Sequence, residues 1–358
     1  MIKLLYVPSL NIPVCYWRIE SYADQIVKFS NRAMVNVEYF TDIIGVNVAW
    51  DDACVGKGKI SHEIQGKLRN AFKFFDVIIF QRIQNMPALA LIQELRKEYP
   101  ETKIIAELDD SVGEVPPSSP HKWKEHHRWS AEHLHRSDAV ICSTKYLAES
   151  IREIVKDKPV HVAPNCINGR LWRLKRSKKS HEGIRIGYVG GGAHDEDLRV
   201  IYKDMLNVLK KHKEVTLVIR YGGWKPKWFK DHPQIDFKCV GWCMDEYPQE
   251  LHNMDLDLAL APLRDSEFNR CKSNLKWIEW SNLGIPLYAS NVEPYRHTKG
   301  EITLIDNDGK NWERELNDFI ELEKYLSVNK KSLKKECTAN YNIYRESKKV
   351  LKFIESLI

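Results

Sequence analysis

The chain is 358 residues long, 43% hydrophobic and 29% charged, so it exceeds one ordinary domain and has ample material for a core. Two domains of about 150–180 residues are expected from that length. No apolar run approaches the ~20 residues a membrane-spanning helix needs, and a net charge of +6 suits an anionic ligand or polymer without demanding one.

The start, MIKLLYVPSLNIP, reads as a first strand, because it lacks the longer apolar region and small-residue cleavage site of a signal peptide. The eight cysteines are scattered without Cys-x-x-Cys pairs and read as reduced thiols, so a cytoplasmic location is expected. In the first half, Val- and Ile-rich runs predict strands at 2–7, 35–40, 76–80, 103–107, 138–142 and 159–162. Arg18, in CYWRIESYADQI, follows the first strand's loop. Leu89, Leu91, Ile92 and Leu95 share one face of a predicted helix over 86–98, and Ser143 is the expected N-cap of another over 144–155. The segment IIAELDDSVGEVPP (104–117) ends a strand on Asp109 and Asp110, read either as ligand contacts or as turn formers. Histidines 121, 126, 127, 133 and 135 lack a cysteine pair at zinc spacing, and no metal site is expected.

Pro164, Gly169 and the unpatterned basic run over 163–183 mark the best linker. The second half repeats the alternation, with strands predicted at 184–189, 215–220, 235–239, 256–261, 286–289 and 302–305. Strands alternating with helices predict two doubly wound parallel α/β domains, 1–166 and 167–340, and a tail helix (341–358) that returns to the first. Ligands in such folds bind beyond strand ends. The first such end, GYVGGGAHDEDL (187–198), carries Gly190, Gly191 and Gly192, whose amides can meet an anion beside a helix start. It is neither a Walker A loop nor a Gly-x-Gly-x-x-Gly fingerprint. His194 either donates to a phosphate or caps the helix, whereas Asp195 and Asp197 read as helix-start acids. Arg220 is an anion contact or a strand-flanking charge, and Trp242 a platform for a base or a packed side chain.

FNRCKSNLKWIEWSNLGIP (268–286) predicts a helix capped by Ser273 and stopped by Gly284. Lys272, Lys276 and Glu279, spaced four and three apart, share a ridge. The bland reading is a surface Lys276–Glu279 pair worth ~0.3 kcal/mol. The other is a phosphate seat with a glutamate two turns in. Three runs, 121–129, 169–181 and 222–230, interleave basic residues with Trp; they are solvated loops or contacts with a polyanion.

The stretches DLDLALAPL, FNRCKSNLKWIEWSNLGIPLYAS, IGYVGGGAHDEDL and VHVAPNCI together resemble the GT-B glycosyltransferases, specifically the family-4-like nucleotide-sugar group, which includes virus-encoded members. The resemblance is strongest over about 184–295. It implies a GT-B fold of two Rossmann-like domains facing a central cleft, with Glu279 on the donor ribose, Lys272, Ser273 and Asn274 on the diphosphate, and the glycine loop near the transferred sugar. Lys272 and Asp109 are the implied catalytic residues. His194, Arg220, Trp242 and Lys276 join the donor side, and Arg18, Asp109 and Asp110 the acceptor side. One departure stands out: where many members carry an acid eight residues before the ribose glutamate, this chain has Cys271, with Glu267 the nearest alternative. The Arg and Lys that members place early in the second domain are also absent as a motif, leaving Lys272, Arg220 or Arg264 to supply that charge.

The resemblance implies transfer of a hexose or pentose from a nucleotide-diphosphate sugar, with retention, with the donor as substrate and no tightly bound cofactor or metal. The acceptor is expected to be a saccharide or lipid-linked glycan, with peripheral membrane contact through a stretch such as 61–75. The alternative is DNA bearing a hydroxymethylated pyrimidine, which the Trp-interleaved basic runs favour. A reading from another class is a non-catalytic binding module on the same scaffold, supported by the missing acid. Oligomeric state is not legible.

Overall fold

A computed structural model of the chain describes residues 1–8, 15–37, 62–83, 86–114, 130–170, 172–175, 181–241 and 246–358. These form two compact units. The first comprises Met1–Cys166, Cys271–Ser273 and Ile343–Ile358; the second comprises Ile167–Arg270 and Asn274–Asn342.

The sheet of the first unit has six parallel strands: β1 (Ile2–Val7), β2 (Ala33–Val37), β3 (Val77–Gln81), β4 (Lys103–Leu108), β5 (Ala139–Cys142) and β6 (Val160–Val162), in the order β2-β1-β3-β4-β5-β6. Every residue of β3 and β5 is buried, which is the pattern of parallel strands covered on both faces. The predicted strand at 35–40 begins earlier, at Ala33, and 38–40 lie outside the described residues. The terminal helix Ile343–Glu355 buries Val350, Leu351 and Ile354. Its Phe353 stacks on His161 at 4.9 Å, and its Tyr344 meets Phe29 edge-on at 5.3 Å.

The second unit repeats the plan with β7 (Ile184–Gly191), β8 (Val215–Gly222), β9 (Ile235–Val240), β10 (Leu258–Ala261), β11 (Leu287–Ser290) and β12 (Thr303–Ile305), ordered β12-β11-β10-β7-β8-β9. All these neighbours pair in parallel. In each sheet the strand order reverses once: between β1 and β3 in the first unit, between β7 and β10 in the second. Those reversals open a crevice at the strands' carboxyl ends.

Two predicted caps move. The helix Lys145–Ile154 is capped by Thr144, whose hydroxyl accepts from Leu147 N, because the Ser143 hydroxyl donates to the Asp109 carbonyl at 3.2 Å. The helix Leu275–Leu283 starts after Asn274, not at Ser273, whose hydroxyl accepts from Asn165 Nδ2 at 2.7 Å. Its stop is as expected: Gly284 has φ 76°, and a Cβ there would sit 2.9 Å from Lys330 Cβ.

Candidate functional site

In the second unit the chemistry collects where β7 and β10 part. β7 runs out in Gly190 and Gly191, a 3-10 turn takes Gly192–His194, and the helix Asp195–Lys211 follows. Gly190 has no room for a side chain, Gly191 is tight and Gly192 is open. A Cβ on Gly190 would lie 2.3 Å from the Tyr188 hydroxyl oxygen, and one on Gly191 would lie 3.2 Å from the Gly222 carbonyl. Three consecutive small residues therefore leave the turn's backbone bare beside a helix start.

Asp197 holds this turn to its surroundings. It is 3% exposed; Oδ2 lies 2.8 Å from His194 Nδ1, while Oδ1 accepts from Arg264 N and Asn269 Nδ2, both at 2.9 Å. Burial alone would raise this carboxyl, but the His194 ring and the Arg264 amide outweigh it and hold it low. Asp197 stands in the first turn of its helix, as its position predicts, and is also a buried acceptor joining the β7 turn to the segment after β10. Asn269 is 5% exposed, and its Nδ2 donates to two acceptors, Asp197 Oδ1 and the Arg264 carbonyl. Those two acceptors fix the amide's orientation and leave Oδ1 with no partner among the described residues.

The helix Leu275–Leu283 brings two charged side chains here. Lys276 Nζ lies 4.9 Å from the centre of the Tyr188 ring, which is itself fully buried beneath the glycine turn. Glu279 is 4% exposed and accepts from the Tyr247 hydroxyl at 3.0 Å. Burial pushes its carboxyl up to about 8, against the Tyr247 hydrogen bond and the Lys276 charge. The surface ion pair considered from spacing is therefore replaced by a buried carboxyl bonded to a tyrosine 32 residues upstream.

Three expected anion contacts have acidic partners. Arg220 ties β8 to β9 through Asp236, at 2.8 Å, and through the Asp236 carbonyl, which is the strand-flanking alternative. Arg264 pairs with Glu196, and Lys272 with Asp110 at 3.3 Å. Asn274 belongs to the second unit and donates to Thr298 Oγ1 and the Tyr341 hydroxyl. Trp242 lies outside the described residues.

The first unit carries its own polar cluster at the β1/β3 reversal. Arg18 is 2% exposed. It donates from Nε to Glu107 at 2.6 Å and from Nη1 to the Ala163 carbonyl and Asn165 Oδ1. Gln81 bridges Cys15 and Glu107. Beside them Arg82, whose φ is 47°, reaches Asp109 Oδ1 at 2.6 Å and also pairs with Asp110. The two acids are driven apart. Desolvation raises Asp109 to about 7 despite Arg82, whereas Lys272 and Arg82 hold the half-buried Asp110 well below the usual carboxylate range. Tyr188, Tyr247, Asn269 and Arg82 escape the sequence reading. Each is a lone polar or aromatic residue whose partner lies on another element of its unit.

Among the described residues no helix is long and apolar enough to cross a membrane, and no group of three or more His, Cys, Asp or Glu side chains is placed to hold a metal ion.

No family model matches the sequence, nor does any curated protein. Solved structures do match in fold. Anabaena HepE, solved in complex with UDP-glucose, aligns at TM-score 0.65 and 11% identity over 99% of this chain and 100% of its own. AviGT4, a glycosyltransferase involved in avilamycin A biosynthesis, aligns at 0.60 and 11% over 100% and 98%. TarM aligns at 0.57 and 12% over 77% of this chain, which spans only 54% of that one. A UDP-GlcNAc 2-epimerase from Neisseria meningitidis, bound to UDP-GlcNAc, shares the fold at 0.54 and 14%. Two parallel six-stranded sheets, each doubly wound, with neighbours of this kind, make the chain a GT-B fold of two Rossmann-like units.

Proposed function

We propose that the chain is a glycosyltransferase that takes its sugar from a nucleotide-diphosphate donor held by the second unit. The observation that carries this reading is the grouping at the β7/β10 reversal. A glycine turn closed to a side chain at Gly190, Lys276 over the Tyr188 ring and the buried Glu279 meet at one strand-end crevice. Solved relatives of the fold that hold UDP-glucose and UDP-GlcNAc support the same ligand class.

In this reading Glu279 accepts from the ribose hydroxyls, while the glycine-turn amides and Lys276 meet the diphosphate. Departure of the diphosphate breaks the bond from the sugar's anomeric carbon and builds negative charge on the phosphate oxygen, which those groups stabilise. The acceptor oxygen forms the new bond and gives up its proton. Retention follows the family resemblance. In the first unit Asp109 is the acceptor-hydroxyl contact: its raised carboxyl can receive a proton near neutrality, and Asp110 stays ionised beside it. Asn269 Oδ1, buried and unpartnered beside the turn, accepts from a hydroxyl of the transferred sugar. The acceptor is a saccharide or lipid-linked glycan; glycosylation of hydroxymethylated DNA is the second reading, favoured by the exposed aromatic-basic loop of the second unit.

A panel of UDP-, GDP- and ADP-sugars, with glycan and hydroxymethylated-DNA acceptors and a no-acceptor control, tests this by mass shift and nucleotide-diphosphate release. Transfer, or slow release without acceptor, supports it. No release from any donor that binds would leave a binding module instead, and unchanged nucleotide affinity in Glu279→Ala would overturn the ribose assignment.

A further inference from the structure

The geometry points to a docking site for single-stranded nucleic acid on the loop after β8, built on Trp224. In GGWKPKWFK (222–230) the aromatic residues meet opposite fates. Trp228 donates from Nε1 to both Asp195 oxygens at 2.9 and 2.8 Å, lies under the Arg199 guanidinium at 5.1 Å and meets Tyr202 edge-on. Phe229 is buried, and its amide closes a turn on the Pro226 carbonyl at 3.0 Å. Trp224, in the same stretch, is 93% exposed. A loop pinned by two of its aromatic side chains thus presents the third to solvent, at little ordering cost on binding.

The charges around that ring are of one sign. Segment 222–230 holds three lysines and no acid. The acids facing it are already engaged: Asp231 by Lys225, Asp195 by Trp228 and Asp236 by Arg220. Lys227 and Lys230 are exposed and enter no ion pair among the described residues. A fully presented indole face with exposed lysines three and six positions on matches a polymer that alternates a planar base with an anion, since bases stack on aromatic faces and lysines follow the phosphates. A lipid surface would engage several insertable apolar side chains, and this loop presents Trp224 alone. The loop also adjoins the glycine turn, because Gly222 pairs in register with Gly191. A strand docked on Trp224 therefore lies next to the crevice of the second unit.

The test needs no sugar donor, so it stands or falls apart from the transferase reading. The full chain is titrated against a fluorescein-labelled single-stranded DNA 20-mer, read by anisotropy between 50 and 200 mM NaCl. Heparin and phosphatidylglycerol vesicles serve as anionic probes without bases. Trp224→Ala is expected to weaken DNA binding about tenfold or more, with Trp224→Phe staying within about threefold. The double substitution Lys227→Ala/Lys230→Ala should flatten the salt dependence by about 1.4 in the log–log slope, two contacts' worth. Trp224→Ala should leave heparin affinity unchanged. No DNA binding by wild type at 50 mM NaCl overturns the proposal. So do equal affinity in Trp224→Ala, an equal loss toward heparin, or binding to vesicles alone.

Discussion

Replacing Glu279 by glutamine separates the buried carboxyl from every other titrating group. Burial moves this carboxyl from an ordinary 4.5 up to about 8 in the folded chain. Between those values the folded protein keeps a proton that the unfolded chain has released, so stability falls as pH rises. The limiting slope is ~1.4 kcal/mol per pH unit. From pH 6 to 8 the unfolded state gives up about 2.7 kcal/mol on this account, while the folded state recovers about 0.4 as its own group begins to ionise. The net loss is about 2 kcal/mol. A glutamine side chain in its place would still accept from the Tyr247 hydroxyl but carry no proton equilibrium. Urea unfolding of both proteins at pH 6, 7 and 8, followed by tryptophan fluorescence, is the assay. Asp109, whose carboxyl is also raised, contributes equally to both and cancels in the difference. The stability gap should move by about 2 kcal/mol toward Glu279→Gln over this range. Parallel curves would refute both the burial and the neutral state inferred from it. A second readout follows from the ribose assignment. A diol donating to the ionised carboxylate lowers its pKa, so UDP should bind wild type more tightly as pH rises to about 8 and then level off. The glutamine variant should bind UDP with no such trend.

Lys276→Ala should weaken UDP about tenfold by calorimetry at low salt and leave uridine affinity unchanged, because the lysine meets phosphate rather than base. In Asp109→Asn the transfer rate should fall by about 10²–10⁴. The wild-type rate should decline as pH drops through about 7, where Asp109 protonates, and this limb should vanish in the variant. Gly190→Ala forces a Cβ to within 2.3 Å of the Tyr188 hydroxyl, on a ring with no room to turn, and should cost about 1–3 kcal/mol of stability by thermal melt.

Strands are the most legible part of this chain, because parallel strands buried on both faces show up as unbroken runs such as VIIFQ and LALA. Gly284 is legible for a similar reason, since a left-handed residue at a helix end admits few side chains. Hydroxyl caps are less so. Ser143 and Ser273 each have the right residue type in nearly the right place, and each hydroxyl is claimed by another part of its unit. Charged candidates divide by the same logic. Arg220, Arg264 and Lys272 all stand near strand ends, but sequence spacing says nothing of Asp236, Glu196 and Asp110, which reach them across the fold. Glu279 enters as a candidate through its motif, while Tyr247, which shapes its ionisation, carries no signal at all.

Cys271 and Asn269 bear on what the sugar touches. Where the resemblance leads one to expect an acid, Cys271 is fully buried in the apolar cluster of the first unit with Ala106, Leu108, Val112 and Leu134, and its carbonyl accepts from the Thr144 hydroxyl at 3.1 Å. A carboxylate there would lose its hydration without a counter-charge, a cost of several kcal/mol, so the segment cannot carry the usual acid and hold this packing too. Two residues earlier, Asn269 offers what the acid would have offered, an oxygen acceptor beside the glycine turn. That oxygen is buried and has no partner among the described residues, an arrangement that costs ~1–3 kcal/mol unless a ligand completes it. Removing it should therefore hurt sugar recognition and spare the nucleotide. In Asn269→Ala, UDP-sugar affinity is expected to fall about five- to tenfold, in line with one hydrogen bond. UDP affinity, which reports an intact β7 turn, should stay within twofold. An equal loss for UDP and UDP-sugar would mean that Asn269 only braces Asp197, and that the sugar is read elsewhere.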